Sequence, residues 1–205
     1  ANNTTGLTIT GNFIGYTDDD PLTPGAANNI GSNGINVIDS AGANVSGNFV
    51  TNTVGDGIFI DPSPNAVVNG NTISNTGLNG VNVVASDSAT ITNNNISWTG
   101  LNGIKVDGGS NHYISSNDIS WTTQDGINVR NFGTAWIAYN DIDYTGDDGI
   151  ETVDGDFVSI YDNDVYGAGF YGDNADWRGA DGIHVRRVEG LIIPPTDGEE
   201  GGEET

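Results

Sequence analysis

Glycine recurs at Gly34, Gly57, Gly80, Gly103, Gly126 and Gly149, each step 23 residues, and fourteen residues after each stands Asn48, Asn71, Asn94, Asn117, Asn140 or Asn163. A period of this kind means one supersecondary unit repeated along an axis. Directly after the glycines come Ile35, Ile58, Val81, Ile104, Ile127 and Ile150. Eleven residues on are Val45, Val68, Ile91, Ile114, Ile137 and Ile160; sixteen on are Val50, Ile73, Ile96, Ile119, Ile142 and Val165. Each repeat therefore holds three short β-branched segments divided by turn residues. So small a unit cannot bury its apolar side chains alone, so the coils stack, each strand pairing in parallel with its copy about 4.8 Å along the axis. The expectation is an all-β, three-sided solenoid of 23-residue coils, about eight in number. The asparagine column is expected to form a ladder, its amides bonding from coil to coil inside a turn.

This pattern resembles the right-handed parallel β-helix repeat of pectate lyases, polygalacturonases, alginate-active enzymes, phage tailspikes and many bacterial surface proteins. The resemblance covers roughly residues 5–193. It implies the fold and leaves the function open. The chain divides into a β-helix domain, 1–193, with insertions at 15–33 and 167–181, and an acidic Gly/Glu-rich tail, 194–205. Both insertions enter between the third strand of one coil and the first strand of the next.

Composition narrows the partners. With 28 acids against 5 bases the formal charge is −23, which repels phosphate backbones and anionic lipid, so neither nucleic acid nor membrane insertion is expected. Calcium suits such a surface. The absence of cysteine excludes disulfides and thiolate metal sites. Asn-X-Ser/Thr sequons, the acidity and a start at Ala1 lean toward an extracellular or cell-surface protein.

The residue before each repeat glycine is Asn33, Asp56, Asn79, Asn102, Asp125, Asp148 and, after the second insertion, Asp181. Asp148 thus belongs to a structural Asn/Asp-Gly column, expected to need positive φ. Asp147 breaks its own column, which otherwise reads Ser32, Gly55, Leu78, Leu101, Gln124 and Ala180, and is a candidate catalytic acid. On the first strand, positions one and three after the glycine face inward, and two and four face out. The outward columns read Asn36, Phe59, Asn82, Lys105, Asn128, Glu151, His184 and Ile38, Asp61, Val84, Asp107, Arg130, Val153, Arg186. Three of the five bases share this face, with Arg187 beside it, so it is where the few cations gather. The opposing expectation is that they are spent in the ion pairs Lys105–Asp107 and Arg186–Glu151.

Phe170, Tyr171 and Trp177 in the second insertion are candidate substrate-binding aromatics. Trp98, Trp121 and Tyr144, eighteen residues after their glycines, form a column that suits either a platform for sugar rings or, preferred here, the filling of a core corner. The pairs Asp154/Asp156 and Asp162/Asp164 have the alternate spacing that lets two carboxylates on a strand hold one hard cation, although no calcium nonapeptide or EF-hand loop is present.

Two functions follow. One is a structural solenoid whose uncapped ends stack head to tail into a homopolymer, a filament or surface array, with calcium as an assisting cation; the acidic tail would then meet the basic strip of a neighbour. The alternative is a polysaccharide-binding or polysaccharide-cleaving protein. The resemblance implies, for a lyase, Lys105, Arg130 or Arg186 beside the proton-abstraction step. For a polygalacturonase-like hydrolase it implies carboxylates with a histidine, here Asp147, Glu151 and His184. The Asn-Thr-Asp and Gly-His-Gly motifs of the latter are absent, which favours the structural function.

Overall fold

A computed structural model describes residues 5–15, 32–170 and 180–192. Tyr171, Trp177 and the tail 194–205 lie outside them. The chain opens with β1 (Thr8–Thr10) and β2 (Phe13–Ile14). Four coils of three strands follow: β3 (Ile35–Ile38), β4 (Asn44–Ser46), β5 (Phe49–Thr53); β6 (Ile58–Asp61), β7 (Val67–Asn69), β8 (Thr72–Thr76); β9 (Val81–Val84), β10 (Thr90–Thr92), β11 (Asn95–Thr99); and β12 (Ile104–Asp107), β13 (His112–Ser115), β14 (Asp118–Thr122). In the next two coils the first and second strands merge, giving β15 (Ile127–Ala138), β16 (Asp141–Thr145), β17 (Ile150–Tyr161) and β18 (Asp164–Tyr166). β19 (Ile183–Ile192) begins a further coil.

Each strand pairs in parallel with its copy one coil away, Ile114 between Ile91 and Ile137 for example. Six coils are complete, from β3 to β18. The expected eight counted the partial turns at either end, where β1–β2 lack a first strand and β19 has no third-strand partner among the described residues.

The inward positions are those anticipated. Ile35, Ile58, Val81, Ile104, Ile127 and Ile150 are buried together with the columns two, ten and fifteen residues further on, except that Val165 at the end of the last column is partly buried. Such a core is thin but continuous along the axis, so each coil is stabilised chiefly by its two neighbours. The asparagine ladder runs through it: from Asn48 to Asn140 each amide Nδ2 donates to the next asparagine's Oδ1 and to a backbone carbonyl of the preceding coil, as Asn94 does to Asn117 (2.9 Å) and to Val68 O (3.0 Å). Asn12 joins the ladder below Asn48, placing it and Ile14 in an earlier coil as expected.

The repeat glycines are needed for a reason other than the one expected. Positive φ is not found at Gly34, Gly57, Gly80, Gly103, Gly126 or Gly149. They are instead places of close approach: a Cβ on Gly103 would strike Ile119 Cγ2 and come within 2.7 Å of the Gly126 carbonyl oxygen. Gly103→Ala is therefore expected to lower stability by about 1–3 kcal/mol through overpacking, read as a fall in the thermal midpoint. An unchanged midpoint would mean that the corner can yield.

Candidate functional site

The site grows from the column before the glycines. Asp125 and Asp148 are buried rungs of it: the Asp148 amide donates to Asp125 Oδ1 (3.1 Å), and the Asp125 amide donates to Asn102 Oδ1 (3.1 Å). Asp148 Oδ1 in turn accepts from the Asp181 amide (2.6 Å). This structural role uses one carboxylate oxygen. The other, Oδ2, meets His184 Nδ1 at 3.0 Å. A precedent lies four coils earlier, where Asp56 Oδ2 accepts from Asn82 Nδ2, residue 82 being the counterpart of His184.

β12, β15, β17 and β19 place Lys105, Asn128, Glu151 and His184 side by side. Asn128 Nδ2 donates to Asp125 Oδ2 (2.6 Å) and to Glu151 Oε2 (2.7 Å), while Arg130 Nε donates to Asn128 Oδ1 (2.9 Å) and fixes that amide. Glu151 Oε1 pairs with Arg186. Lys105 sits 3.8 Å from Asp107, and Arg187 donates to Asp154 at 2.8 Å. The anticipated ion pairs have formed, so the basic strip is largely engaged by the protein's own carboxylates and amides.

Burial, opposed by the Asn128 hydrogen bond and reinforced by the charges of Glu151, Asp147 and Asp148, lifts the Asp125 carboxyl to about 6. Asp147 reaches solvent, but partial burial of its carboxylate and the nearby charges of Asp148 and Glu151 hold it above the ordinary carboxylate range. Because folded Asp125 binds its proton more tightly than the unfolded chain, its contribution to stability falls as pH rises from about 4 to about 6. At 1.36 kcal/mol per unit the penalty at neutral pH is roughly 3 kcal/mol. Asp125→Asn, which fits a column already holding Asn79 and Asn102, should raise stability at pH 7 and flatten the slope over that range, as chemical denaturation at several pH values would show. Lower stability at pH 7 would contradict it.

Donor atoms within 4.8 Å of one another form two groups among the described residues: Asp148, Glu151, His184 and Asp125, Asp147, Asp148. Asp154 and Asp156 are both exposed on β17, Asp162 lies in the turn before β18, and Asp164 is exposed on β18. Hydrogen bonds already occupy Asp148, Glu151 and His184 Nδ1.

Phe170 opens the second insertion against this corner. Its amide donates to Thr145 O (2.8 Å), and that of Gly169 to Asp147 O (3.0 Å). Its ring lies edge-on to Trp121 (5.7 Å) and Tyr144 (5.1 Å). Trp98, Trp121 and Tyr144 do not fill the core, contrary to the preferred expectation: the three rings stack outside it, and Trp98 is 53% exposed.

The architecture defines a parallel β-solenoid, and its family model makes the assignment specific. The chain belongs to the right-handed β-helix family, whose "Right handed beta helix region" matches residues 56–192. A comparison with curated protein sequences finds no match. Among solved structures it is similar to the periplasmic alginate epimerase AlgG, with a TM-score of 0.67 at 19% identity over 93% of this chain and 46% of that one. It is also similar to the A-module of the Azotobacter vinelandii mannuronan C-5 epimerase AlgE4, with a TM-score of 0.60 at 14% identity over 94% and 59%. A third is the enzymatically active domain of bacteriophage CBA120 tailspike protein 2, with a TM-score of 0.56 at 14% identity over 80% and 32%. The chain spans about half the length of the alginate epimerase.

Proposed function

We propose that this protein acts on a polysaccharide, cleaving a glycosidic bond by acid–base chemistry at the first-strand face of β15, β17 and β19. The observation that carries the proposal is the contact of Asp148 Oδ2 with His184 Nδ1. With Nδ1–H donating to the carboxylate, the lone pair is left on Nε2, which meets no hydrogen-bond partner among the described residues; this is an oriented general base. Asp147, solvent-accessible beside Asp148 and with its carboxyl held above the ordinary carboxylate range, is the acid. Water attacks the anomeric carbon and gives a proton to His184 Nε2; the glycosidic C–O bond breaks and the leaving oxygen takes the proton of Asp147. Asp125, Asn128 and Arg130 hold the surrounding network in place.

Likeness to an alginate epimerase and a mannuronan epimerase supports polysaccharide as the substrate class. In this proposal the protein works outside the cytoplasm, which a polymer substrate of that kind supports; none of the described residues forms a helix long and apolar enough to cross a membrane. The test is a panel of neutral and uronate polysaccharides assayed for new reducing ends and for ultraviolet-absorbing unsaturated ends, with calcium and with chelator. Reducing ends without unsaturation support hydrolysis. Unsaturated ends would replace it with β-elimination, and no product from any polymer would remove the proposal.

End-to-end assembly has one observation in its favour. The outer edge of the ten-residue β19 has no partner among the described residues, and Ile183, Leu191 and Ile192 on it are exposed. Electron microscopy showing fibres that vanish on Leu191→Lys would support it; a monomer at all concentrations would not.

A further inference from the structure

Eighteen residues after the repeat glycines the backbone is left-handed in every coil: Asn52 (φ 54°), Asn75 (53°), Trp98 (57°), Trp121 (57°), Tyr144 (54°) and Gly167 (70°). Asparagine and glycine accept this conformation easily, whereas a large aromatic there is strained. Three consecutive aromatics at such positions are strained, and strain of this kind is held where the side chain has work to do. The rings stack along the solenoid axis, Trp98 on Trp121 at 5.0 Å and 4°, Trp121 on Tyr144 at 4.5 Å and 20°. That step matches the coil rise of about 4.8 Å.

The two ends of the stack differ. Toward the C-terminus it is closed: Gly167 lies against Tyr144, and Phe170 covers the edges of Trp121 and Tyr144. Toward the N-terminus the next position is Asn75, whose short side chain cannot cover an indole. Trp98 has one face on Trp121 and is still 53% exposed, so its other face is open among the described residues. Beneath that face the surface is polar. Asn75 Nδ2 reaches Thr51 Oγ1 at 3.5 Å, Ser74 Oγ donates to Thr51 Oγ1 at 3.0 Å, and Asn52 Nδ2 donates to Gly15 O at 3.3 Å.

One flat apolar wall above amides and hydroxyls is complementary to a pyranose ring, which presents C–H groups on its face and hydroxyls at its rim. Asp118, Asp141 and Asp164 stand in register on the same sheet. Asp143 beside them is held above the ordinary carboxylate range, first by burial and then by those three charges. These acids lie on the Tyr144 side of Trp98, and together with the chain's formal charge of −23 they disfavour an anionic sugar. We infer that the open face of Trp98 above Asn75, with Asn52 and Ser74, is a binding subsite for one neutral hexopyranose unit of a glycan. The inference rests on the proposal that the protein acts on polysaccharide and names the substrate class. The subsite lies four coils, about 19 Å along the axis, from His184, so it grips the chain at a distance from the bond being broken.

The experiment uses tryptophan fluorescence and calorimetric titration of the full chain with gluco- and manno-configured pentasaccharides and an oligouronate of equal length. Asn75→Trp would extend the stack at a position already left-handed and fill the subsite. Trp98→Asn restores the residue type of the two preceding coils and, with circular dichroism as a fold control, guards against a misfolded first variant. A neutral pentasaccharide should bind, with at least ten-fold loss in both variants and at least ten-fold weaker binding of the oligouronate. Unchanged affinity in both variants, no binding of neutral sugar, or equal binding of the oligouronate would each overturn the inference. His184→Ala separates the two claims. Binding that survives in it while no polymer is turned over by the native protein upholds the subsite and removes cleavage; turnover with KM unaltered by Asn75→Trp upholds cleavage and removes the subsite.

Discussion

Asp148→Asn is expected to lower turnover at least 100-fold while leaving the thermal midpoint within about 2 °C of the native value. A general base contributes about 10²–10⁴ in rate, so the loss corresponds to about 2.7 kcal/mol or more of barrier. The fold should not suffer, because asparagine is the resident at the equivalent positions Asn33, Asn79 and Asn102. Asn79 shows how the new residue would sit: its amide Nδ2 donates to the Asp56 carboxylate one coil back at 2.8 Å, as residue 148 would to Asp125. What the variant loses is the acceptor for His184 Nδ1, and with it control of the imidazole tautomer. His184→Ala should lose a similar factor, and the double variant little more, since the two groups act as one unit. Kinetics with the responsive polysaccharide and thermal melts measure both halves. A turnover loss accompanied by a large fall in midpoint would assign Asp148 to the fold alone.

Asn117→Ala should have the largest effect on stability. Its Nδ2 donates to Ile91 O (3.0 Å) and Asn140 Oδ1 (2.9 Å), and its Oδ1 accepts from the amide N (3.1 Å) and the Nδ2 (2.9 Å) of Asn94. Truncation leaves the Asn94 amide N–H and the Ile91 carbonyl buried without partners, each at about 1–3 kcal/mol, and opens a cavity in the turn. A loss of about 3–5 kcal/mol, near 10 °C in midpoint for a chain of this size, is expected in thermal and denaturant unfolding. A loss below about 1 kcal/mol would mean that water satisfies the vacated groups and that the ladder is not a main support of the solenoid.

Much of the fold could be read from the repeat because a solenoid converts sequence period directly into spatial register. Ile91, Ile114 and Ile137 are 23 residues apart and adjacent in one sheet, and the asparagines are likewise stacked. Inward and outward positions on the first strand followed from the two-residue side-chain period, and the pairs Lys105–Asp107 and Arg186–Glu151 followed from that. The site was harder to see. Asp148 belongs to a structural column, and its second oxygen acquires a chemical partner only because the second insertion returns the chain with His184 in register with Glu151. The signal that could have shown it was the earlier coil's Asp56–Asn82 contact, the same geometry with an inert partner. The aromatic column was misassigned for a different reason. Its two leading asparagines marked a left-handed backbone, which turns the side chain out of the core, whereas hydrophobicity alone pointed inward. The role of the repeat glycines was missed because two physical demands, positive φ and close approach, select the same residue.

The most direct test of the account is the crystal structure of the Asp148→Asn variant with a bound oligosaccharide from the polymer that the native protein cleaves. Expected are a sugar chain across β15, β17 and β19, a glycosidic oxygen within hydrogen-bond reach of Asp147, and an anomeric carbon facing His184 Nε2 with room for one water between them. A chain seated on another face of the solenoid, with His184 and Asp147 open to solvent, would contradict it.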